Sequence, residues 1–182
     1  GACYVDGGAF DGDSFRELAA IANLKEAVLF EPDPDNFAAL NQTIHSAQTA
    51  VTCLPMGLSD TYEILSFNAG NGEGGALSES GSVHVACAAL DSVLKNKRVD
   101  LLKLDVEGAE IKALAGATNI LNTYRPTLAL SLYHHPGDLW EIPAFIDSIC
   151  PGYQFYIRQH YFNSFDCVLY AIPVDSPEQA RP

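Results

Sequence analysis

The sequence predicts an α/β fold: a doubly wound, mostly parallel sheet with an antiparallel last strand. Three observations predict it. Short apolar segments alternate with amphipathic helical ones along most of the chain, the pattern of parallel strands joined by crossover helices. The first apolar segment runs through a glycine-rich turn into a helix, as where such sheets receive ligands. The last two apolar segments, 154–158 and 167–172, are too close for a helix between them, so they are expected to pair antiparallel at a sheet edge. The 182 residues suit one domain. It is expected over 1–175, with a tail over 176–182. A native segment is expected before Gly1, because the chain enters a strand at once without a Met.

Each element has a local cause. Residues 3–6 form the first strand and 14–23 the first helix. Residues 27–31 form the second strand, stopped by Pro32. Pro34 opens a helix to His45 with Phe37, Leu40 and Ile44 on its apolar face, and Asp33 and Asp35 sit where a helix start favours carboxylates. Residues 51–58 read as a third strand. Residues 63–67 and 83–88 read as an extra pair bracketing a Gly/Ser-rich loop over 68–82, expected to be a mobile lid or else simply disordered. A core strand over 101–105 leads into one helix over 109–122. Residues 127–132 are the next strand and 139–149 the last helix.

Composition narrows the function. Hydrophobic residues are 48% and charged residues 18%, which excludes a disordered chain. A net charge of −13 argues against a nucleic-acid partner, because phosphate backbones are bound through Lys and Arg. No apolar run approaches the ~20 residues of a membrane span. Five scattered cysteines without a CxxC read as buried thiols in a reducing compartment, so the cytoplasm is the expected location. There is no HExxH or similar spacing. Asp105, Glu107, His134 and His135 offer hard and borderline donors on separate loops, and no metal is assigned.

The turn Tyr4-Val5-Asp6-Gly7-Gly8-Ala9-Phe10-Asp11-Gly12-Asp13-Ser14 is either an ordinary tight turn or a cofactor cradle. Its glycines let backbone approach a ligand, and the helix start supplies N–H groups. Asp6, Asp11 and Asp13 disfavour a pyrophosphate and favour a cationic ligand. Glu31 follows Gly12 by 19 residues, near the ~20-residue spacing at which a carboxylate meets ribose hydroxyls. Together they point to an adenosine-containing cofactor.

These residues resemble the S-adenosylmethionine-dependent methyltransferases, and among them the FkbM-type family. The resemblance rests on Val5-Asp6-Gly7-Gly8-Ala9-Phe10-Asp11-Gly12, Phe30-Glu31-Pro32, Gly57-Leu58-Ser59-Asp60, Leu90-Asp91-Ser92 and Leu102-Lys103-Leu104-Asp105-Val106-Glu107-Gly108-Ala109-Glu110, in that order. It implies a Rossmann-like seven-stranded sheet and S-adenosyl-L-methionine as cofactor. Asp6, Gly8, Ala9 and Gly12 would line its methionine and ribose part, Glu31 would hold the ribose, and Ser59 and Asp60 would lie near the adenine. The implied activity is O-methyl transfer to a hydroxyl of a sugar, glycan or related small-molecule natural product.

The acceptor side follows from the next two strand ends. Asp105 ends the strand 101–105 and is expected to contact cofactor or substrate; Asp6 and Asp105 would pair with the cofactor's ammonium directly or through water. Lys103, inside the strand, reads as structural. Glu107 and Glu110 begin a helix whose dipole favours them. A hydroxyl acceptor calls for a base, and histidine's pKa near ~6.5 suits it. Tyr133-His134-His135-Pro136 supplies two, and the stretch from Tyr133 to Pro143 resembles one branch of the FkbM-like proteins. His134 is the expected base or substrate ligand. His135, Tyr133, Trp140 and His160 are expected around the acceptor, the aromatics as a platform for a sugar ring. Two other readings stand: an NAD- or nucleotide-sugar-binding oxidoreductase on a similar sheet, and a methyltransferase-like module without turnover.

Overall fold

Alternation of apolar strands and amphipathic helices produces a seven-stranded sheet. In the computed structural model the residues described are 1–45, 47–67, 83–160 and 166–174. The lid reading of residues 68–82 and the tail over 176–182 lie outside them. The sheet strands are β1 (Ala2–Gly7), β2 (Leu24–Phe30), β3 (Ala50–Leu54), β7 (Leu101–Leu104), β8 (Thr127–Ser131), β9 (Tyr153–Gln159) and β10 (Cys167–Pro173). Their spatial order is β3-β2-β1-β7-β8-β10-β9. β10 runs antiparallel to both β8 and β9, as the terminal spacing predicts. The other neighbouring pairs are parallel.

The expected strand over 51–58 is two strands. Pro55 interrupts it, and β4 (Gly57–Leu58) leaves the main sheet. β4 pairs with β6 (Val83–Ala88), which pairs antiparallel with β5 (Glu63–Phe67). The expected helix over 109–122 is also two, α4 (Glu110–Ala115) and α5 (Thr118–Tyr124). Gly116 is the reason: a Cβ there would stand 2.1 Å from the Ser59 carbonyl oxygen and 3.0 Å from Ala89 Cα. The chain bends where it must pass that close to another backbone. A short helix α3 (Leu90–Leu94) carries too few residues for periodicity to reveal.

The remaining helices fall where expected: α1 (Asp13–Ile21), α2 (Pro34–Ile44) and α6 (Asp138–Ile149). Asp33 caps α2, its carboxylate accepting from the backbone N–H groups of Asp35 and Asn36. Side chains alternate across each strand. Val5, Leu102, Leu104, Leu128 and Leu130 face one core layer, completed by Leu114, Ile120, Leu121, Ile142 and Ile146 from the helices. Tyr4, Ala27 and Leu29 face the other layer, against Phe15 and Leu40. The odd-numbered residues of β7 and β8 are therefore left to line a cleft. No helix of the described residues is long and apolar enough to cross a membrane.

Candidate active site

The cleft lies where β1 meets β7, the point at which strand order reverses and ligands bind in open α/β sheets. Its volume is about 920 Å³, at the upper end of the ~300–1,000 Å³ of cofactor and small-molecule sites. Asp13, Glu17, Glu31, Asp105, Glu107 and Asp166 line it, against Lys103 as the lysine or arginine among the described lining residues. That balance suits a ligand carrying positive charge.

The turn after β1 makes the cradle. The Gly8 and Ala9 N–H groups both donate to the Phe30 carbonyl at 3.0 Å, drawing the turn onto the end of β2. Gly8 has φ +82, and a Cβ there would stand 1.9 Å from the Asp105 carbonyl oxygen. Only glycine lets the cradle close on β7. Glu31 sits at the junction. Its Oε2 accepts from the Phe10 N–H and its Oε1 from the Asp33 N–H, each at 2.8 Å. Burial pushes its carboxyl above the usual range, opposed by those two N–H groups. Both oxygens retain accepting capacity, and Glu31 lines the cleft, the placement a ribose ligand needs.

Other expected cofactor residues stand elsewhere. Gly12 (φ +87) is the N-cap of α1 and packs against Leu40, away from the cleft wall. Ala9 is buried and contributes its backbone N–H. Ser59 is wholly buried, its hydroxyl donating to Glu63 and standing 3.2 Å from Asp60 Oδ1. Neither Ser59 nor Asp60 lines the cleft, although β4 just before them does; the Ser59 side chain turns instead to Glu63. Pro32, Asn36, Met56 and Leu58 line that end instead.

Asp6 does not reach the cleft surface. It is 0% exposed and lies beneath the cleft. Its Oδ1 accepts from Lys103 Nζ at 2.9 Å and its Oδ2 from the Tyr4 hydroxyl at 2.7 Å. Lys103 Nζ also donates to the Gly8 carbonyl at 3.1 Å. Burial works against the Lys103 ammonium, but Asp6 and Asp105 outweigh it and hold the group charged. Asp6 thus anchors the lysine that braces the cradle, rather than facing a ligand.

Beside the cradle, Asp105, Glu107, Glu110 and His134 converge. His134 Nε2 stands 3.5 Å from Asp105 Oδ1 and 3.5 Å from Glu107 Oε2; its Nδ1 stands 3.0 Å from Glu110 Oε1. The imidazole is 8% exposed, against 30% for the Asp105 side chain. Asp105 and Glu107 line the cleft, whereas His134 sits behind them. This corrects the expectation of a histidine base presented to the acceptor: the turn after β8 folds the ring inward against α4. Burial would lower its pKa, but Glu110, Asp105 and Glu107 together raise it. Tyr133 lines the cleft as expected, and its hydroxyl donates to Asp105 Oδ1 at 3.0 Å. Glu107 has φ +54, an uncommon backbone state that clusters at functional sites.

The acceptor rim differs from expectation at two residues. His135 packs its ring over Gly108, outside the cleft, and its N–H donates to Asp138. Trp140 is 62% exposed on α6 and does not line the cleft. His160 does line it, with a ring nitrogen 2.9 Å from the Tyr170 hydroxyl. Reading by sequence alone left Lys103 without its partner and Glu107 and Glu110 as helix-start charges. Their signal was the run of acids after β7, but its convergence on His134 depends on the neighbouring strand.

Residues 6–165 match the family model described as the methyltransferase FkbM domain. A curated relative, the hexuronic acid methyltransferase AglP of Haloferax volcanii, is 32% identical over 120 residues, covering 62% of this chain and 50% of that protein. The chain thus aligns with half the length of that relative. The crystal structure of methyltransferase FkbM from Methylobacillus flagellatus superposes with a TM-score of 0.78 at 25% identity, covering 93% of this chain and 43% of that one. Aeropyrum pernix fibrillarin, in complex with natively bound S-adenosyl-L-methionine, shares the fold with a TM-score of 0.59 at 12% identity, covering 94% of this chain and 66% of that one.

Proposed function

This chain belongs to the FkbM methyltransferase family, and we propose that it is a methyltransferase that uses S-adenosyl-L-methionine to methylate a hydroxyl of a sugar-type acceptor. The carrying observation is the acid-lined cleft at the β1/β7 junction, closed by Gly8 and floored by the Asp6–Lys103 pair. The cradle fits the cofactor: backbone at Gly8 for close approach, Glu31 for ribose hydroxyls, and acids for a molecule with an ammonium and a sulfonium. When bound, that cofactor supplies an electrophilic methyl group on sulfur.

This chain's residues do the rest. Glu31 and the Gly8 backbone hold and orient the cofactor, and positioning supplies much of the rate in such a transfer. Asp105 orients the acceptor hydroxyl, with Tyr133 fixing the carboxylate, and Glu107 on the same wall takes the proton as that oxygen is methylated. His134 sustains the charge of the carboxylates around it. A sugar acceptor is supported by the relative named for hexuronic acid and by the open, polar wall of Ser131, Tyr133 and His160. Free cysteines suit a reducing, cytoplasmic setting.

The test is calorimetric titration with S-adenosyl-L-methionine and with NAD, followed by mass spectrometry of uronic-acid glycans for one added methyl group. Binding of S-adenosyl-L-methionine, and product formation lost in Asp105→Ala, is the expected result. Binding of NAD alone would overturn the reading.

A further inference from the structure

The buried imidazole of His134 is an anomaly that methyl transfer by itself does not explain. Among the described residues neither ring nitrogen has a hydrogen-bond partner, although the side chain is only 8% exposed. An orphaned buried polar group costs about 1–3 kcal/mol. Around the ring stand Glu110, Asp105 and Glu107, whose carboxylates accept hydrogen bonds and donate none when ionised. A neutral imidazole would present one lone pair to those acceptors. An imidazolium would aim two N–H bonds at them, yet even the 3.0 Å approach of Nδ1 to Glu110 lacks the direction of a hydrogen bond.

The spacing matches a different occupant. One donor atom from each of Asp105, Glu110 and His134 lies within 4.8 Å of the others. Bonds of ~2.1 Å to a common ion put neighbouring ligands about 3 Å apart and opposite ones about 4.2 Å apart. With Nδ1 as the imidazole's one donor atom, its 3.0 Å separation from Glu110 Oε1 falls in that interval. Glu110 is already fixed, its Oε1 accepting from the Val106 N–H at 2.9 Å. A pre-set, buried carboxylate is what a metal ligand needs.

We propose that Asp105, Glu110 and His134 form a divalent-cation site on the acceptor side of the cleft. Two carboxylates and one imidazole suit a manganese-like ion better than calcium, which takes oxygen alone. The site deepens the proposed O-methyl transfer and rests on that reading for its role. Asp105 places the ion at the cleft wall, where it can take the acceptor's oxygen and lower the pKa of its hydroxyl. The O–H bond then gives its proton to Glu107, at the same wall, while the O–CH3 bond forms and the donor's S–CH3 bond breaks. Asp105 in that arrangement orients the oxygen through the ion.

The test titrates Mn2+ into the full chain without cofactor. Electron spin-echo spectroscopy of the bound Mn2+ should show a coupled 14N nucleus, the signature of an imidazole ligand. Glu110→Gln and His134→Gln should each weaken Mn2+ binding at least tenfold. Asp147→Asn, an exposed control on α6 outside the cluster, should leave it unchanged. Absence of 14N coupling, or equal binding by wild type and both variants, overturns the site. The spectroscopy needs no variant, so it decides the matter even if the substitutions do not fold. S-adenosyl-L-methionine titration without metal reads the proposed function separately: its failure with 14N coupling present would leave the cation site standing.

Discussion

Replacing Lys103 by Met should destabilise the protein far more than an ordinary surface lysine would, and the magnitude follows from the floor of the cleft. Asp6 is 0% exposed and keeps one hydrogen bond, from Tyr4, once the lysine is gone. Breaking a buried ion pair from one side costs about 3–5 kcal/mol, because the surviving charge is uncompensated. The carboxyl can escape by taking a proton. Burial already holds this carboxyl above the usual carboxylate range, and from the ~3.9 of the unfolded chain the proton costs about 4 kcal/mol at pH 7, so protonation caps the loss near that figure. Lys103→Met should therefore lose about 4 kcal/mol, a large part of the ~5–15 kcal/mol that holds a domain together. Lys103→Met combined with Asp6→Asn removes both charges and should lose only about 1–2 kcal/mol. Urea unfolding at pH 7, followed by circular dichroism for both single variants and the double variant, gives the coupling energy. A single-variant loss below about 1 kcal/mol, or simple additivity in the double variant, would refute this account of the floor.

Three further outcomes follow. Gly8→Ala should lower cofactor affinity at least about tenfold by calorimetry, since a non-glycine residue at φ +82 costs about 1–2 kcal/mol and its Cβ meets the Asp105 carbonyl; wild-type affinity would show that the cradle does not hold cofactor. Asp100 is held below the usual carboxylate range: burial raises it, but the Cys3 N–H and Arg98 outweigh that. Its contribution is thus present above the unfolded pKa and lost as pH falls through the folded one, so wild type and Asp100→Asn should differ by about 1 kcal/mol at pH 7 and converge in acid below the folded pKa; a gap that does not shrink as pH falls would disprove this. Burial, with Glu26, pushes the Cys3 thiol up to about 11, so alkylation at pH 8 should run at least about 100-fold slower than at a free thiol, and rapid labelling in the folded state would contradict it.

The fold was legible because its signals are local. Pro32 ends β2, Asp33 and Pro34 start α2, and the short spacing between the last two strands leaves only an antiparallel return. The departures came from contacts between distant segments. Nothing near Gly116 in sequence says that Ser59 and Ala89 press against it, yet that contact divides the helix predicted over 109–122. The Pro55 break was visible as a residue, but its consequence, β4 pairing with β6, depends on a partner some thirty positions away.

The site divides along the same line. Residues fixed by their place at a strand's end, Glu31, Asp105 and Tyr133, reached the cleft as expected. Those whose partners depend on which strands are neighbours were not legible in the same way. Asp6 and Lys103 are paired in register across β1 and β7, so a carboxylate that looks like a ligand contact in sequence has its charge consumed by the next strand. Two adjacent histidines follow β8, and the turn sends one ring outward over Gly108 and the other inward onto Glu110. Sequence cannot rank His134 and His135, because both options keep the backbone's path and differ only in what the side chain meets. The −13 charge is likewise resolved by position. Asp6 is neutralised, Glu31 is held on two N–H groups, and the remaining concentration lies at Asp105, Glu107 and Glu110 around one imidazole. One histidine does not balance three carboxylates even when protonated. A cluster left with that deficit beside a cleft is where a further cation gains most.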